Sequence, residues 1–583
     1  MAMVLYSLSS VQTTAGIRSP QSAFRKGARP MENVSTRTKI LLGALVVLVY
    51  GAGLFVTVMD IDAAQYASMS CHIALGKDFW AALLMPQGYL DKPPLLFFLS
   101  ALFFKIFGVS TAAYKLPSLL MTMLGMYATY RLGKLLYDRR TGRLAAVILC
   151  SCEGFIYFTN DVRTDAVLAG AVIFAVWQIT EFLNSMKVRF FWGGCVGIGL
   201  AMLAKGPIGL MVPVLAVGSF LAGKRQFKMF FKWYWLAGAA AVFVMLLPML
   251  WGLYAQYGWH GIKFYFWTQS FGRITGQSSW HDTSGYFFFV HTFLWAFLPW
   301  MLLAYFAIGD CAVKAVKCRF APARASDTML LGGTILPFLA LSCSHYKLPH
   351  YIFVIFPLVA ILTARTIAEL VDTQERRTAY NVFLNIQRVV SILMWVFALV
   401  CLTVFFPCAN PLVWIAVAVP AAATFYFMSK RHSRFARLVL PSLWAIFGIS
   451  LMINGYFLPE LMKFQGGSNA AASITRQHIP SDRLFCYRAH DHSLDFYTRR
   501  EIPVLDSARV VQTLRNQEAW IYTERAGYQS IVAMGYSPLA VDSFPSFHVT
   551  KVNGKFLFFK TRPAMTGRQY ILHSVPPRVT PQT

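Results

Sequence analysis

The stretch GYLDKPPLLFF, Gly88 to Phe98, sets Asp91, Lys92 and two prolines against a run of leucine and phenylalanine. From Pro94 the apolar run continues for fifteen residues to Gly108 and is interrupted by Lys105. A helix needs about 17–25 apolar residues to cross a bilayer, so this run is too short to cross. It reads as a re-entrant or surface-lying helix at a membrane face. A charged pair next to such a helix is either an ordinary membrane-edge loop or a group held at the surface for chemistry.

The rest of the chain is strongly apolar. Of 583 residues, 57% are hydrophobic and 13% charged, and mean hydropathy is +0.51. Soluble domains are nearer a quarter charged. Runs such as Ile40–Met59, Ala166–Phe182, Trp235–Trp251, Phe287–Ile308 and Val389–Phe406 reach or approach spanning length. The fold class is therefore an all-α polytopic membrane protein. The net charge of +28 comes mostly from Lys and Arg in short loops between apolar runs. That is the signature of membrane topology rather than of nucleic-acid binding. The ten cysteines are scattered and form no CxxC, so they suggest neither a disulfide framework nor a zinc site.

Basic loops at Arg131–Arg143, Lys187–Arg189, Lys224–Lys232, Lys314–Arg324, Arg376–Arg388 and Lys430–Arg437 belong inside. The basic N-terminal segment, 1–38, belongs there too. The first span then exits, which places Asp60 and Asp62 outside. Only an odd number of crossings fits between Asp62 and Arg131. Leu116–Tyr130 with its flanks supplies one crossing, so Pro94–Gly108 stays on the outer face. Parity gives roughly thirteen spans over 39–458, with long outer loops at 60–115 and 254–285. The tail, 459–583, alternates short strand-like and helix-like segments and reads as a soluble α/β domain on the outer side. Its expected strands include RLFCYR, AWIYTE, SIVAMGY and KFLFFK, with a helix near Ala508–Arg515.

On this map the polar residues sort by side. Asp62, Asp91, Asp161 and Asp165 lie outside, and so do Lys92, Arg163, Lys205, Arg273 and Lys347. Each has an ordinary reading: Asp62 as a helix cap, Lys92 as a snorkelling side chain, and the Asn160–Asp165 cluster as a capped helix start. Cations on the side that the positive-inside rule disfavours, beside carboxylates, suggest instead an anionic headgroup meeting a nucleophile. His260, His281 and His291 lie in or near the outer loop of Arg273 but lack metal-ligand spacing. A transporter predicts ionisable groups at mid-bilayer and repeated halves. Glu153 and Glu181 are the nearest such groups, and no internal repeat is visible. A lipid-linked sugar flippase is the alternative from another functional class.

Asp62 with Tyr66, the DKPPL segment with its FKIFGVSTAAYKLPS continuation, RTDA, KGP and KLPHYI occur in this order over Asp60–Ala364. As a set they resemble the bacterial GT-C glycosyltransferases. The nearest group is the aminoarabinose lipid A and undecaprenyl-phosphate-sugar transferases, distantly similar to protein O-mannosyltransferases. The resemblance implies a sugar transfer, with inversion, from a polyprenyl-phosphate donor to lipid A, another glycolipid or a protein. It makes the chain a multi-pass enzyme of the bacterial inner membrane, with its site and tail domain in the periplasm. It makes Asp62 and Asp165 the catalytic acids and Lys92 the phosphate ligand, with Arg273, Tyr351, Lys205, Lys347 and Arg163 as further donor contacts. Asp91, Asp161 and Tyr66 become acceptor-side or supporting residues. The chain departs from the family pattern twice. Ala63, Ala64 and Gln65 replace the usual continuation after the first acid. Asp91 replaces a glutamate beside which relatives are expected to hold a divalent metal.

Overall fold

Inside hydrocarbon a backbone must satisfy its own hydrogen bonds, and the apolar runs accordingly form helices. The computed structural model describes residues 34–76, 89–269, 271–276 and 284–576. The basic segment 1–33, part of each long outer loop and His281 lie outside the described residues. Among the described residues, eight helices are long and apolar enough to cross a membrane. They are Thr36–Phe55, Thr164–Ser185, Val188–Lys205, Tyr234–Tyr257, Pro322–Ser342, Pro349–Asp372, Gln374–Phe405 and Arg434–Met462. The chain is a multi-pass helical membrane protein. The best-shielded of these helices are Thr164–Ser185, Pro349–Asp372 and Arg434–Met462, whereas Tyr234–Tyr257 and Gln374–Phe405 leave most of their residues unburied.

Leu95–Phe107 forms the helix expected after the proline pair, with Pro94 directly before it. Thirteen residues reach only about 20 Å at the α-helical rise. The helix ends at Gly108, whose φ of +77° lies in the region that favours glycine. Ser110 then caps the 26-residue helix Thr111–Leu136 through its side chain. Leu95–Phe107 packs against this helix and against Asp62–Leu75. In the latter the buried residues Ala63, Ala64, Tyr66 and Ala67 face the core.

The tail carries a five-stranded sheet, in the order β2-β1-β3-β5-β4. Its strands are β1 Leu484–Tyr487, β2 Val504–Leu505, β3 Ala519–Glu524, β4 Ala540–Ser546 and β5 Gly567–Ser574. β1 pairs in parallel with β2 and β3, while β5 is antiparallel to β3 and β4. RLFCYR, AWIYTE and the helix at Ser507–Asn516 match expectation. Two expected strands are helical. SIVAMGY falls largely in the helix Arg525–Ala533, where Gly527 and Ile531, four apart, are buried on one face. KFLFFK begins in the short helix Gly554–Leu557, which Asn553 caps by accepting from Phe556 N. In both cases a run of apolar residues looked like β-propensity and a local cap or helical face prevailed.

The tail docks where the first spanning helix ends. Tyr497 Oη accepts from Val58 N at 2.9 Å. Gln465 accepts from Asp60 N and donates to Val58 O, both at 2.9 Å. Phe496 stacks on Phe104 with ring centres 6.0 Å apart. The tail and the residue Asp62 are thereby held at the same end of the helical domain.

Candidate active site

Asp165 opens one long helix and Lys205 closes the next, and the two side chains meet at 2.5 Å. The Lys187–Arg189 turn between these helices therefore lies at the far end. The same contact brings the RTDA and KGP motifs together. Lys205 Nζ also sits 3.9 Å from the centre of the Tyr351 ring, a cation–π contact. Tyr351 comes from the start of the segment Pro349–Asp372, and its hydroxyl accepts from Arg273 at 2.7 Å. His350 Nε2 lies 3.6 Å from the second oxygen of Asp165.

Arg273 continues the chain of contacts to the opening motif. Its other terminal nitrogen is 2.9 Å from Asp91 Oδ1. Lys92 pairs with Asp91 Oδ2, and Gln269 donates to Asp91 Oδ1 at 2.7 Å. Burial alone would raise the Asp91 carboxyl, but Lys92 and Arg273 hold it below its usual range. Asp91, Lys92, Arg273, Tyr351, Lys205 and Asp165 thus form one continuous network. Lys92, Lys205 and Arg273 are all buried. Arg273 Nε is buried and has no hydrogen-bond partner among the described residues.

Beside this network is a narrow cleft. It is lined by the polar side chains of Asp91, Lys92, Lys205 and Gln269 and by Leu90, Pro93, Met249, Leu253 and Tyr265. Met249 and Leu253 belong to the largely exposed helix Tyr234–Tyr257. The cleft thus sets charged side chains next to an apolar, outward-facing helix.

A second network holds Asp62. Arg163, at the N-cap of the helix Thr164–Ser185, donates through Nε to Asp161 at 2.8 Å and pairs through a terminal nitrogen with Asp62. Asp161 also accepts from Tyr157 at 2.9 Å. Despite burial, which opposes charge, the two aspartates keep the Arg163 guanidinium firmly protonated. Asp62 is the first residue of its helix, with Ile61 at the N-cap, and its carboxylate is turned to Arg163. Its side chain keeps 42% of its surface exposed, against 3% for Asp165. Asp62 is the accessible acid and Asp165 the enclosed one. Tyr66 packs its buried ring on Tyr89 and Phe97 beneath Asp62.

Lys347 is buried on the segment that follows Ser344, whose hydroxyl donates to Arg273 O. It donates to Ser284 O at 3.0 Å and approaches the Tyr286 ring. Three residues without an assigned role in the sequence reading join the site: Gln269 on Asp91, His350 on Asp165, and Lys115. Lys115 is fully buried, and its Nζ donates to Gly53 O at 3.0 Å in the neighbourhood of Asp161. It stands inside the quoted TAAYKLPS segment, where a lysine in an apolar helix was the available signal.

The family model for dolichyl-phosphate-mannose-protein mannosyltransferases matches residues 91–251. Among curated proteins, the undecaprenyl phosphate-alpha-4-amino-4-deoxy-L-arabinose arabinosyl transferase of Edwardsiella ictaluri is 24% identical over 335 residues. That match spans 56% of this chain and 58% of the relative. The corresponding transferase 2 of Pseudomonas fluorescens is 24% identical over 389 residues, 64% of this chain and 63% of the relative. The chain thus spans roughly three fifths of the length of these curated relatives. The crystal structure of ArnT from Cupriavidus metallidurans bound to undecaprenyl phosphate superposes with a TM-score of 0.72 at 17% identity. It covers 94% of this chain and all of that one. The resemblance carried by the motifs holds: the chain has the GT-C fold of the aminoarabinose transferases.

Proposed function

We propose that the chain is a polyprenyl-phosphate-sugar-dependent glycosyltransferase acting at the outer face of the bacterial inner membrane. The observation that carries this reading is a cleft lined by Lys92 and Lys205 among apolar side chains, with Arg273 on the Asp91 that also lines it, together with a partly exposed acid, Asp62. The named activity of the relatives supports an aminoarabinosyl group on undecaprenyl phosphate as donor, and lipid A is the acceptor we favour. Thirteen crossings place the basic loops inside and the site and tail in the periplasm. Cysteines introduced at Lys92 and Ser110 then both react with an impermeant thiol reagent from the periplasmic side. Labelling of only one would mean that Leu95–Phe107 crosses the bilayer.

The chemistry follows from what each group can do. An acceptor oxygen attacks the anomeric carbon, and the bond from that carbon to the phosphate oxygen breaks. Polyprenyl phosphate leaves with the bonding electrons. Lys92 and Arg273 neutralise the charge that grows on it, in a site where water is scarce and such contacts count most. Arg273 presents a flat donor set that includes its unpartnered Nε. Asp62 orients the acceptor hydroxyl from the opposite face and receives its proton, so the configuration inverts. Arg163 fixes the direction of Asp62, and Asp161 fixes Arg163. Asp165 and Lys205 hold Tyr351 and the floor of the cleft. The surroundings of Asp91 do not fit a divalent cation: its oxygens already accept from Lys92, Arg273 and Gln269. No step is routed through a metal there.

The test is transfer itself. Lipid A mass spectra from cells with and without the gene should differ by one sugar on lipid A. Unchanged lipid A with a missing modification on a protein would favour O-glycosylation instead.

A further inference from the structure

The tail contains the chain's one His-x-His sequence, in HDHSLD, His490 to Asp495. His492 opens the helix His492–Thr498, and Asp495 follows one turn later. A ring nitrogen from each histidine and a carboxylate oxygen of Asp495 all lie within 4.8 Å of one another. His490 Nε2 is 2.8 Å from Asp495 Oδ2. The two imidazoles stand nearly perpendicular, with centres 5.2 Å apart. Asp495 is buried, and its other oxygen accepts from Ile502 N at 3.0 Å. That bond aims the remaining oxygen at the histidines, as outer hydrogen bonds do for metal ligands. His490 is partly open to solvent, which leaves a path for an ion to enter.

We propose that His490, His492 and Asp495 form a binding site for a divalent first-row metal ion of the zinc type. Two imidazoles and one carboxylate suit such an ion and leave a coordination position for water. The competing explanation is a plain His490–Asp495 ion pair with a second histidine nearby.

The site lies on the joint between the tail and the helical domain. Ser493, between the ligands, donates its backbone N to Asp60 Oδ1 at 2.9 Å and its hydroxyl to Asp60 Oδ2. An ion that fixed residues 490–495 would therefore fix the tail on Asp60, two residues from Asp62. Its effect is on docking and stability and does not depend on sugar transfer.

The experiment uses the detergent-purified full chain with its affinity tag removed and the exposed thiols Cys318 and Cys343 replaced by serine. Zinc is titrated in competition with a chromogenic chelator, and melting is followed with and without zinc. One equivalent should bind, and zinc should raise the melting temperature. His490→Ala and His492→Ala should each weaken binding by roughly tenfold or more and remove the thermal shift. If His492→Ala fails to fold, the partly exposed His490 carries the test alone. Binding of less than one equivalent would overturn the proposal. So would binding that survives His490→Ala but is lost in Asp91→Asn, which would place the ion elsewhere. Neither readout requires an active transferase.

Discussion

Both ends of the helical domain carry buried ion pairs, yet they are built differently. At the basic-loop end Asp327 accepts from Tyr137 at 2.6 Å and from Arg365 on one oxygen, and from Arg324 at 3.1 Å on the other. Asp310 and Glu369 are likewise met on both oxygens by Lys314, Arg365 and Arg376. At the other end Asp161 has a buried oxygen without a partner among the described residues. Asp62 is turned to one arginine and remains 42% exposed. Charge density alone does not distinguish the ends. Asp91 and Asp165 at the site end are also met on both oxygens. What sets that end apart is the unused acceptor capacity of Asp62 and Asp161, which a site needs if a substrate hydroxyl is to enter. One end only locks helices together, and the other also leaves acceptors open to a partner.

The comparison predicts opposite outcomes for similar substitutions. Asp62→Asn keeps the size of the side chain and removes its charge. Turnover should fall by about 10²–10⁴, the usual worth of general acid–base assistance, with melting near that of the parent. Asp327→Asn should do the reverse. It leaves Arg365 and Arg324 facing a neutral group and should lower stability by about 3 kcal/mol, as breaking buried pairs does. Turnover of the surviving folded protein should be unchanged. If Asp327→Asn slowed chemistry in folded protein, the division between locking and reacting ends would fail.

Lys92→Ala has a smaller expected effect, on binding. Losing a charge-assisted contact costs about 1.5–3 kcal/mol, or roughly ten- to a hundred-fold in affinity for polyprenyl phosphate. Lys92→Arg should retain part of the binding while placing its charge less well. A merely snorkelling lysine would change affinity by only a few-fold.

The smallest effect concerns Asp60, where the tail meets the site end. Burial, then the nearby Asp491 carboxylate, push its carboxyl up from 3.8 to about 7. Between these values the folded chain holds a proton that the unfolded chain has released. Stability from this group is full below about pH 3.8 and is lost as pH rises to about 7. Asp60→Asn should flatten the fall in melting temperature over that window. An unchanged slope would remove Asp60 from the account of docking.

Much of this arrangement was legible in the chain. Run lengths separate Leu95–Phe107 from the spanning helices because bilayer thickness is a hard constraint. The side-sorting of Asp62, Lys92, Arg163, Asp165, Lys205 and Arg273 follows from loop charge, and these residues do meet at one end. Who pairs with whom was not legible. Lys205 on Asp165, Arg273 on Asp91 and Arg163 on Asp62 depend on how distant helices pack, which spacing does not encode. Lys347 shares the sequence signature of Lys205, and its contact with Ser284 O is likewise one that spacing does not encode. Gln269 gave no signal because a lone amide in an aromatic segment is ordinary, whereas His350 stood inside the quoted KLPHYI motif without its partner being legible. The tail misled where SIVAMGY and KFLFFK took helical form, since short apolar runs do not separate strand from helix.

The most direct test measures polyprenyl-phosphate binding and sugar transfer in the same detergent preparation for Asp62→Asn and Lys92→Ala. The account predicts that Asp62→Asn binds the lipid phosphate within a few-fold of the parent and transfers almost nothing, while Lys92→Ala loses binding and transfer together. An Asp62→Asn variant that keeps more than about a tenth of the parent transfer rate, when such a base should contribute at least 10², would contradict it.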